Sequence, residues 1–188
     1  IFICITSFIP FIVGTDFFPS TDAGIMKLHY RGKAGTRLEV TEKHVANIEN
    51  RIREIIPKEE ILTINSMIGI PISFNLAFVQ TDNVGPMDAE ISISLNKNHK
   101  PSKKYMSDIR KSISELYPES VAFFQPADIV NQVLNFGVSA PIDIQIEGTD
   151  VYLSYDYATK LIKNLKKIPG LEDIALKQIF NYPALFLN

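Results

Sequence analysis

Beyond Gly14 the chain switches repeatedly between a hydrophobic period of two and one near 3.6, and the switches mark its elements. Met26, Leu28 and Tyr30 alternate with Lys27 and His29, which predicts a half-buried strand. Thr36 and Glu39 stand at capping-box spacing ahead of a helical run. Val45, Ile48, Ile52 and Ile55 then share one helix face, and Pro57 stops the helix because it cannot continue the backbone ladder. Ile61, Leu62 and Ile64 open a second strand, and Ile91, Ile93 and Leu95 form a third. After Pro101, Ser102 is the expected N-cap of a second helix with Tyr105, Ile109, Ile113 and Leu116 as its stripe. Pro118 ends that helix, and Val121 to Gln125 read as a fourth strand.

The order strand, helix, strand, strand, helix, strand is the split βαβ arrangement of a ferredoxin-like sandwich, an α+β fold. Fifteen helical residues and seven strand residues both span roughly 22–24 Å, so the two layers match in length. The pattern then restarts. Ile142, Ile144 and Ile146 alternate with Asp143, Gln145 and Glu147, and Gly148-Thr149-Asp150 makes an exit turn. Ala158, Leu161, Leu165 and Ile168 form a third helical stripe, closed by Pro169-Gly170, and Ile174 and Leu176 begin a further strand. Each helix ends in an apolar or aromatic residue plus proline (Ile56-Pro57, Tyr117-Pro118, Ile168-Pro169), a weak structural repeat whose second unit is incomplete. The expected division is 1–14 as the end of a membrane helix, 15–126 as one complete subdomain and 127–188 as the start of a second.

The leader Ile1 to Val13 is apolar apart from Thr6 and Ser7. Thirteen helical residues span roughly 20 Å, short of a hydrocarbon core of roughly 30 Å. It shows no start Met, basic n-region or small-residue cleavage site, so a signal peptide is not the expectation. The last turns of a membrane helix are the expectation; a buried strand or core helix is the alternative.

Composition changes this picture little. Over 188 residues, 46 % hydrophobic and 21 % charged content is ordinary for folded protein, and a net charge of −2 gives no reason to expect nucleic acid. The single cysteine, Cys4, leaves no disulfide and no Cys-based metal site. His29, on the polar face of a strand, His44, on a helix, and His99, in a loop, share no ligand spacing and read as solvated. Met26, Met67, Met87 and Met106 offer thioethers that suit soft ions, but core filling is the favoured role. Lys97, Lys100, Lys103 and Lys104 make a basic loop that reads as solvated, and Asp16 and Asp22 as isolated carboxylates without an acid–base role. With no nucleophile elbow, phosphate loop or zinc spacing, an enzyme and a cofactor are both unsupported.

The segment Met67 to Val79 is unusually apolar for a connection between strands, whereas loops are usually polar and exposed. Two uses are open: packing as core or against another subunit, or lining a pocket for a hydrophobic or amphipathic small molecule. In the second case Met67, Phe74 and Phe78 supply apolar faces, and Asn75 and Gln80 supply polar contacts.

Several stretches carry a family resemblance. Gly14-Thr15-Asp16-Phe17-Phe18-Pro19 with Asp22-Ala23-Gly24 is similar to the exit of a membrane helix into the second periplasmic half of RND (resistance–nodulation–division) efflux transporters. Ala34-Gly35-Thr36-Arg37 with Thr41-Glu42 resembles the start of that half's first helix. Phe124-Gln125-Pro126-Ala127-Asp128-Ile129-Val130, Leu134-Asn135-Phe136-Gly137, Ala140-Pro141-Ile142-Asp143, Ile168-Pro169-Gly170-Leu171-Glu172-Asp173 and Asn181-Tyr182-Pro183 continue the resemblance in order.

The resemblance implies a substrate-handling porter segment of a proton-driven multidrug efflux pump in the bacterial inner membrane, with most of this chain in the periplasm. It implies a homotrimer, the rest of the transporter chain, a periplasmic adaptor and an outer-membrane channel as partners. It also places the Met67–Val79 loop near the drug pocket, and the proton-relay residues on helices outside this sequence. The competing expectation is a stand-alone ferredoxin-like binding or regulatory module tethered to the membrane, because 15–126 already forms a closed unit.

Overall fold

The computed structural model describes residues 22–70, 81–126, 140 and 142–180. Four strands and two helices follow the expected order: β1 (Ile25–Arg31), α1 (Leu38–Ile55), β2 (Ile61–Ile68), β3 (Asp88–Leu95), α2 (Ser102–Leu116) and β4 (Val121–Gln125). The strands lie in the order β2-β3-β1-β4, and every neighbouring pair is antiparallel. This is the split βαβ sandwich. Its register aligns Leu28 with Ile91 and Phe124, and Met26 with Ile93, so one face of the sheet is continuously apolar. Val45, Ile48 and Ile52 of α1 and Tyr105, Ile109 and Ile113 of α2 close onto that face. A β-bulge between Ile61 and Thr63 leaves Leu62 exposed at the sheet edge.

Met26 and Met87 are fully buried and Met106 packs against the core, while Lys97 and Lys100 of the loop, and Lys103 and Lys104, which fall in the first turn of α2, are exposed. Three local expectations are corrected. Thr36 and Glu39 form no capping box: Arg37 is the N-cap, without a side-chain cap bond, and the Thr36 hydroxyl turns back to the Lys33 carbonyl. Ser102 is the first helical residue and Pro101 the N-cap of α2. The cap comes from far away in sequence. Asp22 accepts from the Ser102 N–H and from the Ser102 hydroxyl, each at 2.7 Å, so it is not an isolated carboxylate. Burial alone would raise its pKa, but the Ser102 and Gly24 hydrogen bonds outweigh that, and it lies below its ordinary value.

The second unit is reached only in part. α3 (Val151–Leu165) forms as expected, with Asp150 as a working N-cap that accepts from the Tyr152 and Leu153 N–H groups. Ile142 to Glu147 and Ile174 to Leu176 do not form strands. A strand is held by its partner's hydrogen bonds, and among the described residues none pairs with either segment. Ile142 and Ile144 are exposed, as are Tyr152, Leu153 and Tyr157 of α3. Among the described residues no helix is long and apolar enough to cross a membrane, and Ile1 to Val13, with Cys4, lie outside them.

Candidate functional site

The alternation that sends Leu28 and Tyr30 to the helices sends Lys27, His29 and Arg31 to the opposite face of the sheet. At its His29–Arg31 end that face is not open to solvent. Residues 82–88, which lead back from the β2–β3 loop, cover part of it, and a buried polar network forms beneath them. Arg31 and Asp88 are direct cross-strand partners, as are His29 and Glu90. His29 is fully buried, which corrects the solvated reading. Its ring lies 4.8 Å from that of Phe123, and its Nε2 is 3.6 Å from Asp88 Oδ1, beyond hydrogen-bond range. Both ring nitrogens are without a hydrogen-bond partner. His44, by contrast, is partnered: the Tyr30 hydroxyl lies 2.8 Å from its Nδ1. Burial holds the His44 pKa below its ordinary value and, as the leading cause, pushes Tyr30 up to about 12.

Asp88 is the centre of the network. Its Oδ1 accepts from Arg31 Nε at 2.6 Å, and its Oδ2 accepts from the Val84 N–H at 2.8 Å and the Gly85 N–H at 3.2 Å. Burial pushes its carboxyl up, but the contacts with His29, Arg31 and the Val84 N–H together outweigh that and hold it below the ordinary carboxylate value. The same guanidinium reaches the Asp82 carbonyl through Nη2 at 3.3 Å, and Gln125 Nε2 donates to Asp82 Oδ2 at 2.6 Å. Lys27 pairs with Glu90 at 3.0 Å.

These bonds fix the base of the β2–β3 loop from both sides. The Gly69 N–H donates to the Asp88 carbonyl at 2.8 Å, and Asn83 Nδ2 donates to the Gly69 carbonyl at 2.9 Å and the Met67 carbonyl at 3.4 Å. Gly69 has a φ of +75°, and a Cβ there would lie 3.0 Å from Leu38 Cδ1, so the backbone conformation and the close approach both call for glycine. Of the expected site residues, Met67 lies in β2, partly buried and opposite Glu90, at the root of this loop. Phe74, Asn75, Phe78 and Gln80 lie outside the described residues. An open depression lined by Val84, Lys177, Gln178 and Ile179 adjoins the loop base. Among the described residues no three His, Cys, Asp or Glu side chains could jointly hold a metal ion.

Sequence reasoning missed Arg31, Asp82, Asn83, Asp88 and Gln125. The available signal was turn chemistry: Asp82-Asn83 and Gly85-Pro86 precede Asp88, and Asp and Asn side chains bind nearby backbone groups in turns.

Residues 1–188 match the model of the AcrB/AcrD/AcrF family. Protein HelA of Legionella pneumophila is 26 % identical over 183 residues, covering 94 % of this chain and 16 % of HelA. Two crystal forms of a heavy metal efflux pump share the fold. Form II has a TM-score of 0.68 at 18 % identity, covering 91 % of this chain and 18 % of that one. Form I has a TM-score of 0.64 at 19 % identity with the same coverage. The chain thus spans about a sixth of the length of HelA.

Proposed function

Since this chain belongs to the AcrB/AcrD/AcrF family of RND efflux pumps, we propose that its βαββαβ sandwich is a substrate-handling porter subdomain. On this reading residues 15–126 are that subdomain, 127–188 begin a second, and 1–14 end a membrane helix, with the sandwich on the periplasmic side of the inner membrane. The whole transporter is proton-driven and works as a homotrimer with an adaptor and an outer-membrane channel. The family match continues through 127–188, which supports a transporter over a self-contained tethered module.

The observation that carries the reading is the contrast within one connection. Met67 to Val79 is apolar in sequence, yet the loop springs from a base fixed by buried polar bonds. An apolar segment rooted in a base of buried polar bonds suits the capture of hydrophobic or amphipathic small molecules. A second reading, a soft metal ion as cargo, has a specific support: a heavy metal efflux pump, in two crystal forms, is among the solved structures that share this fold. The thioether of Met67 at the loop root is a ligand type such ions accept.

The test uses the full-length transporter in cells lacking other pumps. For an organic cargo, the double variant Phe74→Ala/Phe78→Ala lowers export of a lipophilic dye several-fold and leaves copper and silver tolerance unchanged. For a metal cargo, Met67→Leu lowers metal tolerance while dye export persists. If neither variant changes either readout, the loop does not handle substrate and the reading fails.

A further inference from the structure

Arg31 binds three residues, in two separate stretches of chain, through three different nitrogens. Nε holds the Asp88 carboxylate at 2.6 Å, Nη2 the Asp82 carbonyl at 3.3 Å, and Nη1 the Lys177 carbonyl at 2.9 Å. Lys177 Nζ returns to Asp82 Oδ1 at 3.0 Å. The chain following α3 is therefore attached to the base of the β2–β3 loop. Four residues before Lys177 the same chain is held to α2 by a second arginine. Arg110 Nε and Nη2 grip the two oxygens of Asp173 at 2.6 and 2.7 Å, and Nη1 reaches Glu172 at 2.9 Å. The Arg110 guanidinium also lies 5.3 Å from the centre of the Phe124 ring. Asp173 adopts a φ of +58°, a left-handed conformation that costs a non-glycine residue about 1–2 kcal/mol, Asp being among the tolerant ones.

We propose that Arg31 is a positioning residue for the β2–β3 loop: it sets the loop base against the chain that follows α3, so that displacement of that chain is passed to the loop. The importance of this coupling for transport rests on the reading of the loop as the substrate-handling element, whereas the coupling itself does not. The chemistry favours arginine for the task. A planar guanidinium offers donors in fixed directions, and an ammonium would keep the charge while losing the simultaneous hold on three acceptors. The Arg31 side chain is 12 % exposed and Asp88 fully buried, so water does not readily replace these bonds. The Lys177–Asp82 pair is half exposed on the lysine side and contributes less, about 0–1 kcal/mol for a surface ion pair. The bonds from Asn83 and from the Gly69 N–H tie the two ends of the loop to each other but do not reach the chain after α3.

Hydrogen exchange by mass spectrometry on the purified full-length transporter tests this without reference to cargo. Two peptides are followed, 171–180 and 81–88, in wild type, Asp173→Asn, Arg31→Lys and the double variant. Asp173→Asn is expected to speed exchange several-fold in both peptides. Arg31→Lys is expected to speed exchange in 81–88, and adding Asp173→Asn then accelerates 171–180 alone. Faster exchange of 171–180 with 81–88 unchanged in Asp173→Asn overturns the proposal, and that arm stands even if Arg31→Lys does not fold. Independent, additive effects on 81–88 overturn it too, as does wild-type behaviour of Arg31→Lys. If Asp173→Asn fails to loosen 171–180, Arg110→Gln removes both acidic contacts at once; should that also leave 171–180 unchanged, the proposal falls. The Phe74→Ala/Phe78→Ala efflux assay is separate. Transmitted exchange with normal efflux sinks the loop reading alone, and impaired efflux without transmission sinks the coupling alone.

Discussion

Asp88 and His29 lie on the same face of the sheet and are both fully buried, yet only Asp88 has its hydrogen-bonding capacity used. Asp88 accepts from one guanidinium and two backbone N–H groups, all of which favour its charged form. Its pKa is held below the ordinary value of 3.8, so the sign of its linkage is fixed. The stabilisation is fully present above pH 3.8 and is lost as pH falls through the depressed folded-state value. Asp88→Asn is expected to weaken the loop base by about 1–3 kcal/mol at neutral pH, because buried donors lose a charged partner. Exchange of peptide 81–88 across pH 3 to 7, corrected for intrinsic rates, checks this. Wild-type protection should hold down to about pH 4 and then fall, whereas Asp88→Asn should be uniformly less protected with no acid step. His29 marks a limit of sequence reading. Alternation correctly assigned it to the face away from the helices, but period two does not say whether another segment covers that face.

At the scale of elements, most of the sandwich was legible. Val121 to Gln125 has the anticipated bounds, and the α1 and α2 stripes at Val45, Ile48, Ile52, Tyr105, Ile109 and Ile113 are buried. Those positions follow from period and proline stops, which are local. What was not legible depends on partners distant in sequence. The α2 N-terminus is capped by Asp22, eighty positions upstream, so no window around Ser102 contains it. Removing that cap with Asp22→Ala should cost about 0.5–2 kcal/mol, a rise of about 2- to 30-fold in exchange of the first-turn amides of α2. Peptide 61–68 in β2, which Asp22 does not touch, should be unaffected; an equal rise there would mean general unfolding and not a lost cap. The Thr36–Glu39 spacing misled for the opposite reason, since the Thr36 N–H that Glu39 would accept is already bonded to the nearby Lys33 carbonyl, and the helix takes Arg37 as its N-cap. Ile142 to Glu147 alternates as a strand should, but alternation describes a face and supplies no partner.

On the scale of the molecule, two arginine forks organise what the hydrophobic core does not. The core is one cluster between the sheet and the two helices α1 and α2. The chain after α3 joins this body through Arg110–Asp173 and Arg31–Lys177, and Phe180 in turn stacks on Tyr155 of α3 at 4.5 Å. The candidate site was partly legible. The greasy connection stood out in the sequence, and Met67 is at its root, but the polar base around Asp88 is built by pairing β1 with β3 and by turn geometry. Family membership gives this architecture its context, and the chain spans 16 % of the length of HelA.

The most direct measurement is photolabelling of the full-length transporter, in its membrane, with a lipophilic substrate that carries a photoreactive group, followed by peptide mapping. The account predicts label in the peptide spanning residues 67–83, reduced by excess unlabelled substrate and by Phe74→Ala/Phe78→Ala. Saturable label elsewhere in the porter region, with none in 67–83, would contradict it.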